Sequence, residues 1–383
     1  MFLEGITIKR FIFGSVFIVM VLFLPASFPA GASSQGPSDV AAANGVRVSG
    51  CVKNESVVSY DELSKLPPRQ GRFKVAGGSD EYLGSFECIG ADISEVLNRA
   101  SIVKKTDDGY NREIDMYAVV SGRGGRKAVY SYGELLLAKA GGGFLLSAMT
   151  RPIYPHKHFD LLLMDFSPEK WMKASGRTDL SSCAACHNAV MKSAVYIPKG
   201  ACLFAVSDGD RRFVEDVYEI SIRQAPVPLD PSVVKKRKGG MMFVESPKII
   251  LPDGKTVEVN VGVTGGLERS EISENTVGLG KGFHGAHRYS GTPLSAILKK
   301  IMGGEADPAN FLAVVTAADG YRCLVSGGEA FYGDGGRGVL LVDSEDGRPL
   351  GDDEGKYKLY FHGDFFVDRC IRSVAKIECF YVK

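Results

Sequence analysis

Several features that would point to common protein classes are missing from this 383-residue chain. Its 46 Lys and Arg residues balance 45 Asp and Glu residues, leaving a net charge of +1. It therefore lacks the basic excess typical of a nucleic-acid binder. Its glycine-rich turns at 121–125 and 333–336 lack the Lys-Ser/Thr sequence of a phosphate-binding loop. No Ser/His/Asp triad or catalytic carboxylate pair is recognisable.

Long apolar runs are confined to the N-terminus. Lys9 and Arg10 precede an apolar run at 11–24, and Ala30-Gly31-Ala32 offers a small-residue cleavage site. This three-part pattern predicts a signal peptide at 1–32, followed by a flexible segment at 33–45. The alternative is an uncleaved membrane anchor, which would be the only membrane contact. We therefore expect an exported protein in a bacterial periplasm.

Cysteine pairs with regular spacing are also scarce. Six of the eight cysteines are scattered singly, and buried thiols or bridges, such as one between Cys370 and Cys379, are both compatible with the sequence. The other two form the motif Cys183-Ala184-Ala185-Cys186-His187, typical of covalent haem c attachment. Each thiol can add to one haem vinyl group, and His187 can then bind the iron from one side. The alternatives are a redox dithiol or half of a zinc site. Because haem c is attached on the outer side of the bacterial inner membrane, the predicted export favours haem attachment over these two alternatives.

A second axial ligand is expected from the residues just before the motif. His158 is the first candidate and His156 the second. Met172 is a thioether option. An open sixth position would instead indicate binding of a small ligand.

The chain contains an internal repeat. Residues 90–97 align with 291–298 as helix starts, and 118–121 align with 313–316 as buried strands. The matched single residues are Gly125 with Gly320, Glu134 with Glu329, Arg212 with Arg372, Val214 with Val374 and Val217 with Ile377. About 35 additional residues in the first copy contain the haem motif. The repeat thus predicts a haem-binding insertion at about 150–198.

The repeat resembles the molybdopterin-binding domain of sulfite-oxidase-like oxidoreductases. The segments that carry the resemblance are 289–294, 318–321, 328–330, 346–350 and 374–378, with 61–63 and 66–67 as fainter counterparts. The resemblance implies an α+β fold with two β-rich domains in tandem, at 46–223 and 257–383, joined by a linker at 224–256. The family's molybdenum-ligating cysteine is missing from 75–82 and 262–287, so bound molybdopterin is not expected. The nearest candidates for holding a cofactor phosphate are His284, His287 and Arg288.

These observations favour a mono-haem c-type cytochrome that exchanges electrons with a redox partner protein. One alternative is a molybdopterin-dependent oxidoreductase with an internal haem c, which would make the chain an enzyme. The other is a haem-based sensor or binder of small ligands. On the preferred hypothesis, Cys183, Cys186 and His187 hold the haem, and the rest of the chain is scaffold and partner surface.

Overall fold

The computed structural model describes residues 45–76, 82–105, 107, 109–138, 143–153, 198–205, 211–229, 243–303 and 307–383. Nine strands lie in the described part of the first half. They are β1 (Gly45–Gly50), β2 (Ser56–Ser59), β3 (Pro68–Ala76), β4 (Tyr82–Asp92), β5 (Met116–Gly122), β6 (Lys127–Ser131), β7 (Phe144–Ile153), β8 (Cys202–Ala205) and β9 (Val217–Gln224). Helices α1 (Tyr60–Ser64), α2 (Ile93–Ala100) and α3 (Tyr132–Leu137) lie between them.

Ten strands lie in the described part of the second half. They are β10 (Lys248–Ile250), β11 (Thr256–Glu258), β12 (Ser270–Gly278), β13 (Gly282–Pro293), β14 (Phe311–Ala317), β15 (Arg322–Ser326), β16 (Val339–Glu345), β17 (Arg348–Pro349), β18 (Lys358–Phe361) and β19 (Val374–Tyr381). The helices are α4 (Val261–Thr264), α5 (Leu294–Met302) and α6 (Gly327–Phe331). Strand β10 lies within the stretch 224–256 that was expected to be a linker, and β11 begins at its last residue.

The strands form four sheets, two from each half. Sheet I has the order β2-β1-β9-β5-β6, and sheet II has the order β3-β4-β7-β8. Sheet III has the order β11-β10-β19-β14-β15, and sheet IV has the order β12-β13-β16-β17 with β18 beside β16. Sheets I and III share a topology that includes one parallel pair each, β1 with β9 and β10 with β19.

The expected α+β fold of two tandem sulfite-oxidase-like domains is wrong. Strands account for 49% of the structure and helices for 18%, and the four sheets are arranged as a four-bladed β-propeller. The apolar helical patterns do mark helices, but these are short: α2 has eight residues and α5 has nine. In the described ranges no helix is both long enough and apolar enough to cross a membrane.

Consecutive sheets pack face to face, in the order II, I, III, IV. One core lies between sheets I and II, another between III and IV, and a third joins sheet I to sheet III. The predicted strand at 118–121 illustrates the packing. Ala118 and Val120 point into the first core, whereas Tyr117 and Val119 point into the core between the halves. Burial on both faces explains why this strand is continuously apolar instead of alternating.

Strand registers confirm most of the repeat and correct one part of it. Val119 lies opposite Ser221 in sheet I, and Val314 lies opposite Glu378 in sheet III. With this register, Arg212 is equivalent to Arg369, Val214 to Ile371 and Val217 to Val374, so the predicted matches of these three residues are all wrong by three positions. Short segments align almost equally well in several registers, whereas the hydrogen bonds of a sheet select one.

Helix α5 also begins one residue later than its sequence suggests. A threonine followed by a proline favours Thr292 as the N-cap and Pro293 as the first helical residue, but Pro293 occupies the cap position. Thr292 belongs instead to the end of β13, where it pairs with Leu341. Leu294, Ile297 and Leu298, spaced i, i+3 and i+4, are fully buried and form the apolar face of the helix.

Candidate functional site

The predicted haem residues lie outside the described residues. Cys183, Cys186, His187, His156 and His158 all fall within 154–197. The strands on either side of this segment are described. Strand β7 pairs with β8 in sheet II, and the equivalent pair in sheet IV is β16 with β18. The segment is therefore part of a strand-to-strand connection that the second half makes with residues 346–357 alone.

The six cysteines outside the motif form no disulfide with one another in the described ranges; four are buried, and Cys51 and Cys370 are half-buried. Burial raises the pKa of the Cys202, Cys370 and Cys379 thiols to about 12. A protonated, buried thiol is a poor nucleophile. The suggested bridge between Cys370 and Cys379 is not formed.

The outer face of sheet II, in the first half of the chain, is apolar, whereas the equivalent face of sheet IV, in the second half, is polar. The outer face of sheet II carries an apolar cluster that includes Phe73, Phe86, Phe204 and Phe213. Gly90 lies opposite Ser147 and Gly291 opposite Val342, which aligns sheets II and IV residue by residue. The replacements in sheet IV are Phe73 by Glu274, Phe86 by His287, Cys88 by Tyr289, Cys202 by Lys358, Phe204 by Tyr360 and Phe213 by Cys370.

All of these sheet IV residues except Glu274 line a cavity of about 290 Å³, called the sheet IV cavity below. Lys358 lies at its base, with its side chain 9% exposed. Its Nζ is 3.3 Å from Glu345 Oε2, 3.2 Å from Glu354 Oε1 and 4.8 Å from the centre of the Tyr289 ring. Tyr289 also packs against Tyr360, with ring centres 4.3 Å apart. The fold thus buries a charge at a place where its first half has Cys202 within an apolar cluster.

His287 lies on the rim of the sheet IV cavity. Its Nδ1 is 2.9 Å from Glu345 Oε1 and 3.1 Å from Asp346 Oδ2, and its Nε2 is 3.3 Å from the His284 carbonyl oxygen. Burial disfavours the charged imidazolium, but the hydrogen bonds to Asp346 and His284 and the charge of Glu345 outweigh it and raise the pKa of His287. The backbone N–H of Arg288 donates to Asp346 Oδ1 over 2.8 Å, and this bond is the main cause of that carboxyl's lowered pKa.

The sequence singled out only part of this cavity. His284 and His287 do line it, but Arg288 does not, because its side chain points toward Glu271, 3.9 Å away. Glu345, Lys358 and Tyr360 were missed. A position-by-position comparison of the two copies would have found them, because each is polar where the first copy has a residue of a different character.

A second cavity, of about 270 Å³, lies between the two halves. Its wall includes a buried charge cluster related by the repeat. Arg212 bonds both oxygens of Glu134 and reaches across to Ser326 Oγ, and Arg369 pairs with Glu329 and reaches across to Ser131 Oγ. Asp364 adds a third carboxylate, which accepts two hydrogen bonds from Arg369. Each arginine therefore ties one half to the helix start of the other.

Comparisons with known proteins assign no family. No family model and no curated protein matches the chain. Among solved structures, it is similar to the sulfane dehydrogenase SoxCD from Paracoccus pantotrophus, at 9% identity and a TM-score of 0.29. The match covers 89% of this chain and 78% of that one. A likeness this distant leaves the function to be argued from the chain's own residues.

Proposed function

We propose that this protein is an exported mono-haem c-type cytochrome that transfers electrons to or from a redox partner protein. The observation that carries the proposal is the Cys183-Ala184-Ala185-Cys186-His187 motif behind an N-terminal export pattern. Its location adds support, because the motif belongs to a segment for which the second half has no counterpart.

The donor set suits a covalently bound haem. Cys183 and Cys186 each supply a thiol for a thioether bond, and His187 supplies an imidazole for the iron. The bound haem would supply one-electron chemistry. His158, then His156, then Met172 are the proposed residues for the opposite axial position, and they decide whether that position is closed to outside ligands.

The remaining cysteines suit this role because they do not compete for haem. The thiols of Cys202, Cys370 and Cys379 are buried and protonated at neutral pH. Cys370 borders the sheet IV cavity, but it follows β18 and does not lie in the loop before a helix, where the resemblance places the molybdenum-ligating cysteine. This placement favours the cytochrome over a molybdopterin-dependent oxidoreductase.

The proposal is tested with protein from cells that carry out haem c maturation. A pyridine haemochrome spectrum should show one covalent haem per chain, and replacing Cys183 and Cys186 by Ser should abolish it. Cys51→Ser is the matched control and should retain full haem content, because Cys51 is a half-buried thiol outside the motif. Wild-type protein without covalent haem would refute the proposal.

The same preparation separates the other two functions. Molybdenum at about one atom per chain would support the oxidoreductase instead. A spectral shift with stoichiometric carbon monoxide would indicate an open iron and a ligand-binding role, whereas a closed electron carrier should show no shift. If His158 is the sixth ligand, replacing it should leave the iron with a free coordination site that binds carbon monoxide.

A further inference from the structure

We propose that His287, Glu345 and Asp346 form a binding site for a divalent transition-metal ion on the rim of the sheet IV cavity. The site is independent of the haem and of the proposed electron transfer. It lies in the second half of the chain, whereas the haem motif belongs to the first.

The donor atoms already converge. One ligand atom from each of the three residues lies within 4.8 Å of the others. His287 comes from β13, Glu345 from the end of β16 and Asp346 from the turn that follows. One imidazole nitrogen with two carboxylate oxygens suits Zn²⁺, Fe²⁺, Co²⁺ or Ni²⁺ better than Ca²⁺ or Mg²⁺, which prefer oxygen alone. Three protein donors leave room for water on the exposed side of Asp346.

Each donor group is oriented by a contact on its other side. His287 Nε2 faces the His284 carbonyl oxygen at 3.3 Å, so Nδ1 is directed at the carboxylates. Asp346 Oδ1 accepts the Arg288 N–H, which turns Oδ2 toward His287. The second oxygen of Glu345 faces Lys358 Nζ. Such contacts fix the ring and carboxylate orientations of protein metal sites.

The first half of the chain shows that the fold does not require these residues. In sheet II, Phe86 takes the place of His287 within a closed apolar cluster. Burying polar groups at this place costs free energy that phenylalanine would not. A bound ion would offset the cost by neutralising the two carboxylates.

The competing explanation is a simple ion triad, in which a proton on His287 bridges the two carboxylates. Both arrangements use the same atoms, because a metal would occupy the position of that proton. They differ in one measurable property, which is whether the carboxylates bind a divalent ion with defined stoichiometry and inner-shell geometry.

The test uses the full-length haem-loaded protein after treatment with a chelator. Calorimetric titration with CoCl₂ should show one site per chain, and the bound ion should give visible absorption bands above the haem baseline. Asp346→Asn keeps the acceptor for the Arg288 N–H and tolerates the positive φ of 52° at this position, but removes a ligand charge. It should weaken Co²⁺ binding by about tenfold or more, as should Glu345→Gln.

The matched control is His284→Ala. Its imidazole lines the same cavity, but only its backbone carbonyl contacts His287. Co²⁺ affinity should therefore stay within about threefold of wild type. Absence of Co²⁺ binding in the wild type, or equal binding by wild type and Asp346→Asn, would establish the ion triad instead. Haem content is read from the same samples, so failure here is distinguishable from failure of the cytochrome proposal.

Discussion

At the scale of single residues, Glu329 is a buried carboxyl whose pKa is raised toward neutrality. It shares a buried cluster with Glu134, Asp364 and the guanidinium groups of Arg212 and Arg369. Three carboxylates facing two guanidinium groups leave one excess negative charge. Burial raises the pKa of Glu329 to about 7, with Glu134 and Asp364 adding to the effect and Arg369 opposing it. One proton on this residue would make the cluster neutral.

The sign of the resulting pH dependence follows from proton linkage. Between about pH 4.5 and 7 the folded chain holds a proton on Glu329 that the unfolded chain releases, so stability falls as pH rises. The slope should reach at most about 1.4 kcal/mol per pH unit. Glu329→Gln retains the capping box with Ser326 and imitates the protonated form. Urea unfolding at a series of pH values should show a flatter profile for this variant.

The control for this measurement is Glu62→Gln, in the exposed capping box of α1. Its carboxyl has a lowered pKa, mainly because the Ser59 N–H donates to it, so its contribution changes below pH 4.5. Its profile between pH 5 and 7 should therefore match the wild type. A wild-type stability that rises through this window would contradict the assignment to Glu329.

At the scale of structural elements, strands β7 and β8 flank the proposed haem segment, and their own packing does not depend on that segment. Their pairing, from Phe144 with Ala205 to Ser147 with Cys202, involves all of β8 and the start of β7, the end of that strand away from the 154–197 connection. Ala205 and Leu203 point into the first core and Phe204 into the apolar cluster of sheet II. Burial on both faces fixes β8 in place.

Residues 154–197 should therefore be replaceable. A Gly/Ser linker of the same length as 346–357 should leave the sheets intact while removing all haem. Shortening the connection lowers the free-energy cost of closing the loop by about 1 kcal/mol, so the free energy of unfolding should change little. Circular dichroism and urea unfolding measure the fold, and the haemochrome spectrum measures haem. Unfolding of the shortened protein would show that the segment contributes to the core.

At the scale of the whole molecule, the two halves are joined by an apolar core and by exchanged arginines. Val119, Leu312 and Val314 are among the residues that pack between sheets I and III. Gly133 and Gly328 allow the arginines to cross, because a Cβ at these positions would lie 2.2 Å from Arg369 Cδ and 1.9 Å from Arg212 Nε. The arginines cannot move aside easily, since both are held by ion pairs.

Loss of a crossing arginine should destabilise the entire chain. Arg212→Met leaves Glu134 buried with its charge uncompensated, which should cost about 3–5 kcal/mol in urea unfolding. The informative control is Arg372→Ala, because the sequence alignment paired Arg372 with Arg212. Arg372 is 64% exposed, and its loss should cost about 0.5 kcal/mol or less. Equal costs for the two variants would contradict the register derived from the sheets.

The sequence by itself determined the local features. The repeat, the buried strands at 118–121 and 313–316, and the capping boxes before Glu134 and Glu329 are readable because neighbouring residues encode them. The haem motif is equally local, and it stays a prediction because its residues lie outside the described structure. The periodic apolar patterns of helices and strands are visible within one short segment at a time. Individual helices could therefore be recognised, but their share of the whole fold was overestimated.

Tertiary structure decided everything that depends on residues distant in sequence. The four-sheet arrangement, the equivalence of Arg212 with Arg369 and the sheet IV cavity all follow from sheet register and from packing between sheets. His287 meets Glu345 across 58 positions, and Arg369 meets Ser131 across 238. Such contacts leave no periodic trace in the sequence, because their spacing is set by the path of the whole chain and not by the geometry of one element.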